Sequence, residues 1–116
     1  MTARQTGDRA EAEAARFLES RGFSILARNY CIRGAEVDII AQEGDFIAFV
    51  EVKYRKSLRF AAPRESVDLA KQRRIGKAAL CYLQEKGAEG ANVRFDIVEI
   101  TPAGTTLLRG AFGFSE

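Results

Sequence analysis

Two short runs carry the chemistry open to this chain: Glu36-Val-Asp38 and, starting 13 positions after Asp38, Glu51-Val-Lys53. On a strand, residues two apart share a face, so Glu36 projects with Asp38 and Glu51 with Lys53. Three carboxylates beside one amine form a hard-oxygen donor set with a proton-transfer group next to it. Mg²⁺ takes one or two carboxylates plus waters and a substrate phosphate, and Mn²⁺ suits the same ligands. Lys53 would then stand beside the water that such an ion activates. The same residues also fit a metal-free charge network in which Lys53 neutralises Glu36 and reaches diagonally to Asp38. Composition removes the competing chemistries. With no histidine there is no Ser-His-Asp triad, Cys-His pair or histidine metal site. Cys31 and Cys81 are the two cysteines, too far apart for a CxxC motif or zinc ribbon, and read as reduced core thiols.

The elements that must hold these residues follow from periodicity. A helix is predicted over about 7–21, with Ala10, Ala14, Phe17 and Leu18 on one stripe and Gly22 as its stop. A short strand over 23–27 leads into a polar connection through Arg28-Asn-Tyr and Arg33-Gly-Ala. Strands 36–41 and 46–54 form a hairpin around Gly44-Asp45. A two-residue turn there sets Glu43 against Phe46, Ile40 against Phe49, Asp38 against Glu51 and Glu36 against Lys53. Carboxylates directly opposed on neighbouring strands repel by up to about 1 kcal/mol, and more if partly buried, so something should compensate. Ser66 or Asp68 caps a second helix over about 69–86, whose buried stripe would be Ile75, Ala78, Ala79, Tyr82 and Leu83. A strand over 93–100 follows, with a short final edge strand at 105–108. The order is α-β-β-β-α-β with that last strand added, one α/β sandwich on a mixed sheet spanning 1–116 as a single domain.

Charge is unevenly spread. The net charge is +2, yet residues 53–77 carry nine basic and two acidic side chains, a local +7 against −5 elsewhere. Arg55, Lys56, Arg59, Lys71, Arg73, Arg74 and Lys77 in this segment are the candidate phosphate-backbone contacts; a solvated helix face and a charged loop are the plainer reading. No apolar run approaches the ~20 residues of a membrane span, and residues 1–10 lack the apolar stretch of a signal peptide. A cytoplasmic protein with no membrane contact is expected.

Taken together, these residues resemble the PD-(D/E)XK nuclease superfamily, which includes restriction endonucleases and Holliday-junction resolvases. The chain as a whole looks like a member of the YraN family. That likeness rests on Gly7-Asp-Arg-Ala-Glu11, Asn29-Tyr30, Gly34-Ala-Glu36-Val-Asp38-Ile-Ile-Ala, Phe49-Val-Glu-Val-Lys53, Val67 to Lys71, Arg94-Phe-Asp-Ile-Val and Ala111-Phe112. Val37 stands where the superfamily motif has proline, and Ala10 and Ala35 stand where the YraN pattern usually has glycine. The resemblance implies a restriction-endonuclease-like αβββαβ sandwich. It implies that Asp38 and Glu51 hold Mg²⁺ or Mn²⁺, that Lys53 assists the attacking water, and that Glu11 on the first helix completes the acidic site. Glu36 is part of the pattern as a ligand, as an outer support or as the partner of Lys53. Lys71 matches a position that contacts phosphate or merely occupies a polar face.

The expected activity is hydrolysis of phosphodiester bonds in branched or structured DNA, with RNA as an alternative backbone and a homodimer suited to cutting two strands. The alternatives are a module that keeps the fold and binds nucleic acid or recruits a partner without cleaving, and a protein-interaction role without nucleic acid.

Overall fold

The computed structural model describes residues 3–56 and 67–114, with side chains from Gly7 onward. Helix α1 (Ala3–Ser20) is followed by strands β1 (Ser24–Ile32), β2 (Ala35–Glu43) and β3 (Phe46–Tyr54). Helix α2 (Leu69–Glu85) and strands β4 (Asn92–Thr101) and β5 (Gly104–Phe112) complete the order. The five strands lie side by side in sequence order, all antiparallel except β3 and β4. Parallel neighbours need a crossover, and α2 supplies it.

Alternation along β3 and β4 divides their side chains between two cores. Ala48, Val50, Val98 and Ile100 pack with Ala10, Ala14, Ala15 and Leu18 of α1. Phe49, Phe95 and Ile97 pack with Ile75, Ala78, Ala79, Tyr82 and Leu83 of α2. The predicted α2 stripe is therefore buried in full. A helix on each face explains why the two middle strands are apolar runs rather than alternating ones. Asp68 caps α2 by accepting the Lys71 N–H at 2.8 Å. Gly87, at φ +64°, provides the left-handed stop after it.

Three expectations change. Strand β1 runs on through the predicted polar connection to Ile32, because as an edge strand it pairs with β2 as far as Ile32↔Ala35 and exposes its polar side chains. Asn29 adopts φ +53° there, a conformation asparagine tolerates better than most residues. The last strand is nine residues long rather than a short edge. The cysteines are free as expected but are not core residues: Cys31 is exposed on the edge strand and Cys81 partly exposed on α2.

Candidate functional site

The hairpin keeps its expected register from Glu43↔Phe46 to Ile39↔Val50, and the paired register ends there. The expected Asp38–Glu51 and Glu36–Lys53 cross-strand pairs lie beyond that end. Asp38 Oδ2 instead accepts the Val52 N–H at 2.8 Å, so a side chain satisfies a donor that a ladder carbonyl would otherwise take. Beyond this point β2 stays with β1 to Ala35, while β3 stays with β4 to Tyr54↔Ile100. The sheet thus forks between β2 and β3. A cavity of about 460 Å³ lies at the fork, with Glu36, Asp38 and Glu51 in its wall opposite Lys71 and Arg74 of α2.

Glu51 is 6% exposed. Its Oε1 receives a 2.8 Å hydrogen bond from Lys71 Nζ, while Lys53 Nζ lies 3.9 Å away. The cation that answers the opposed carboxylates is therefore Lys71, from the first turn of α2, more than Lys53 of the motif itself. Burial, then the neighbouring Glu51, push the Asp38 carboxyl up to about 7, with the Val52 N–H pulling the other way and Glu11 adding to the rise. Burial and then the Lys71 charge lower the Lys53 ammonium pKa, so Lys53 gives up a proton more readily than a free lysine. Burial works against the charge on Lys71, but the Glu51 hydrogen bond and attraction outweigh it and leave its pKa raised.

The remaining predicted residues fall in different places. Glu11 lies on the inner edge of α1, its carboxyl raised by burial and then by Glu36, and Oε1 is buried without a hydrogen-bond partner. It is close enough to influence Asp38. Glu36 lines the same cavity as Asp38 and Glu51, but no group of three or more carboxylates or thiols converges closely enough to hold a metal ion among the described residues. Arg74 joins Lys71 at the cavity, and Arg73 and Lys77 are exposed on α2. Arg55 is committed to Glu99 in a 2.7 Å ion pair. Lys56 lines a different cavity, against α1. Arg59 lies outside the described residues.

Sequence reasoning missed the Lys71–Glu51 contact as the main neutralising pair. Its available signal was the Asp68 cap, which places Lys71 three residues into the helix, where a long side chain can reach the end of β3. A second set went unassigned: Arg94 forks onto Asp96 and bonds Glu43, which also takes Arg109.

A family model described as "Uncharacterised protein family UPF0102" matches residues 10–100. The chain belongs to the UPF0102 (YraN) family. It is 44% identical over 106 residues to a UPF0102 protein of Symbiobacterium thermophilum, covering 91% of this chain and 90% of that one. It is 43% identical over 100 residues to one from Caldicellulosiruptor saccharolyticus, covering 86% and 85%. For Dictyoglomus turgidum the identity is 44% over 109 residues, covering 92% of each. The family span of this UPF0102 member includes Glu11, Asp38, Glu51, Lys53 and Lys71. Its described part is α/β with a five-stranded mixed sheet and two helices. No described helix is long and apolar enough to cross a membrane.

Proposed function

We propose that this protein is a metal-dependent phosphodiesterase of branched or otherwise structured DNA, built on a restriction-endonuclease-like fold. One observation carries the reading: Asp38 and Glu51 face one another, partly or fully buried, at a fork in the sheet that opens into a cavity, and Asp38 is pushed towards the neutral form by burial and then by Glu51. Such a pair is costly without a cation and fits the one- or two-carboxylate binding of Mg²⁺ or Mn²⁺. The element order and the parallel β3–β4 pair are compatible with the fold.

The donor set suits the ion. One oxygen of Asp38 is held by the Val52 N–H, which fixes the carboxyl and leaves the other oxygen as a ligand. Glu51 offers its second oxygen while Lys71 occupies the first. A bound ion would supply Lewis acidity towards water and the scissile phosphate. Lys53, made less basic by burial and Lys71, would orient the attacking water and take up its proton. Lys71 and Arg74 would hold phosphate oxygens, and the exposed Arg73 and Lys77 would extend that contact along α2. These contacts read backbone shape and not sequence.

A second reading has its own support. Lys71 already neutralises Glu51 at 2.8 Å, which a module that binds nucleic acid without cleaving it would also need. The test is a panel of labelled DNA and RNA structures incubated in Mn²⁺ with wild type, Asp38→Ala and Lys53→Ala. Cleavage by wild type that both substitutions abolish is the expected result. Salt-sensitive binding with no cleavage by any form would establish the module instead.

A further inference from the structure

A cavity of about 580 Å³ lies on the α1 side of the sheet, across it from Glu51 and Lys71. Arg9, Ala12, Glu13 and Arg16 of α1 line it together with Tyr54 and Lys56 at the end of β3. Strand alternation explains why it shares a sheet end with the proposed active site. Glu51 and Lys53 face α2, whereas Val52 packs with the α1 core and Tyr54 follows on that side. The helical repeat brings Arg9, Glu13 and Arg16 to one face of α1. Arg16 and Lys56 stand beside Glu13 in this lining, and the Tyr54 ring is half exposed next to them.

Size decides which anion fits. A duplex is convex and far wider than a cavity of this volume, while one strand can enter. The bases of a duplex also cover one another's faces, so an exposed tyrosine finds a free face only on an unpaired base. Basic groups along a backbone, with an aromatic ring for the bases, are the means by which single strands are held without sequence preference.

We propose that this cleft between α1 and the end of β3 binds an unpaired nucleic-acid strand, with Arg16 and Lys56 on its phosphates and Tyr54 stacked on a base. The inference rests on the nuclease reading and adds a substrate class to it: a duplex arm meets α2, and a single-stranded branch passes round the end of β3 to α1. The two faces then recognise a junction between paired and unpaired DNA.

The test is fluorescence anisotropy in EDTA with the full chain, comparing a blunt duplex with the same duplex carrying an oligothymidine flap. Wild type should prefer the flap. Tyr54→Ala should lose about tenfold on the flapped probe and nothing on the blunt one, while Tyr54→Phe keeps the preference, because the ring and not the hydroxyl is used. Arg16→Glu should flatten the salt dependence on the flapped probe alone. Equal wild-type affinity for the two probes, or equal losses on both in Tyr54→Ala, overturns the inference and leaves the nuclease reading standing. If wild type binds neither probe, both fall. Competition by polyglutamate as effective as by oligothymidine also overturns it, since an acidic protein segment would then be the occupant.

Discussion

Two clusters of charge sit towards opposite ends of β3, and they are built on opposite logic. Near the hairpin turn, Asp96 is fully buried, and the Arg94 guanidinium forks onto both its oxygens at 2.9–3.1 Å while the Gly110 N–H adds a third donor at 3.0 Å. Arg94 also bonds Glu43, which takes two further bonds from Arg109. Two carboxylates meet two guanidiniums, and the Arg109 and Arg94 hydrogen bonds hold Glu43 down at about 2 despite some burial. At the far end Asp38 and Glu51 face one another with amines on one side only, and Asp38 rises to about 7. The first cluster is closed: every charge has its partner in the fold. In the second, Lys71 and Lys53 both lie against Glu51, and Asp38 has no ion pair of its own among the described residues. Glu43 and Asp38 are perturbed in opposite directions, which is the contrast between an ionic joint and a candidate binding site.

The largest expected effect comes from breaking the closed cluster. Asp96→Ala leaves the partly buried Arg94 guanidinium with Glu43 alone and the Gly110 N–H without its acceptor, which should lower stability by about 3 kcal/mol in urea denaturation. Mn²⁺ affinity of the folded protein should not change. A loss under about 1 kcal/mol would mean that the network is ornamental and that closure is no criterion of a structural role.

Next in size is a contrast in pH dependence, measured as stability in EDTA. Asp38 has its folded pKa raised, from 3.8 to about 7, so the unfolded chain ionises first and stability falls as pH rises through that interval. Glu43 has its folded pKa lowered, from 4.5 to about 2, so its contribution is full above the ordinary glutamate range and disappears as pH falls towards 2. Asp38→Asn keeps an oxygen for the Val52 N–H and removes the repulsion. It should therefore flatten the limb between pH 4 and 7, gain on the order of 1–3 kcal/mol at pH 8, and lose Mn²⁺ binding. Glu43→Gln should flatten only the acid limb. If Asp38→Asn is no more stable than wild type at pH 8, the carboxylate pair is not under repulsion and the case for a cation weakens.

Much of this contrast was legible in the sequence, and the illegible part has a common cause. The α2 stripe, its Asp68 cap and the hairpin register up to Ile39↔Val50 follow from local rules, periodicity and turn length. Asp38, Glu51 and Lys53 were identifiable because residue type and spacing already imply a shared face. The register beyond Val50 was not, because the fork arises when β2 follows β1 and β3 follows β4, a competition between non-local pairings. For the same reason β1 was predicted too short: its polar residues look like a loop until β2 is there to pair with them. The Arg94–Asp96 fork had a local signal, opposite charges two apart on one strand face, but Glu43 lies 51 residues before Arg94 and meets Arg109 across 66 residues, in positions only the assembled sheet brings together.

The smallest effect is the one that separates the two lysines of the open cluster. Of the two readings the sequence leaves open, the metal-free one assigns neutralisation to Lys53, so that removing it should expose three carboxylates to one another. The geometry assigns it to Lys71, whose Nζ is 2.8 Å from Glu51 Oε1 against 3.9 Å for Lys53. Lys53 also feels the Lys71 ammonium, so deleting its charge removes a repulsion along with an attraction. Lys53→Met, which keeps the apolar stem, should thus shift stability in EDTA by no more than about 0.5 kcal/mol. Lys71→Met strips a buried carboxylate of its hydrogen bond and should cost about 1–3 kcal/mol. Mn²⁺ should restore the Lys71 variant more than wild type, because the ion replaces the missing charge and binds without a competing amine. Thermal melts of the three proteins with EDTA and with Mn²⁺ measure all of this. If Lys53→Met melts well below wild type in EDTA and Mn²⁺ restores neither variant, the open end of β3 is a second ionic joint, and the difference between the two clusters disappears.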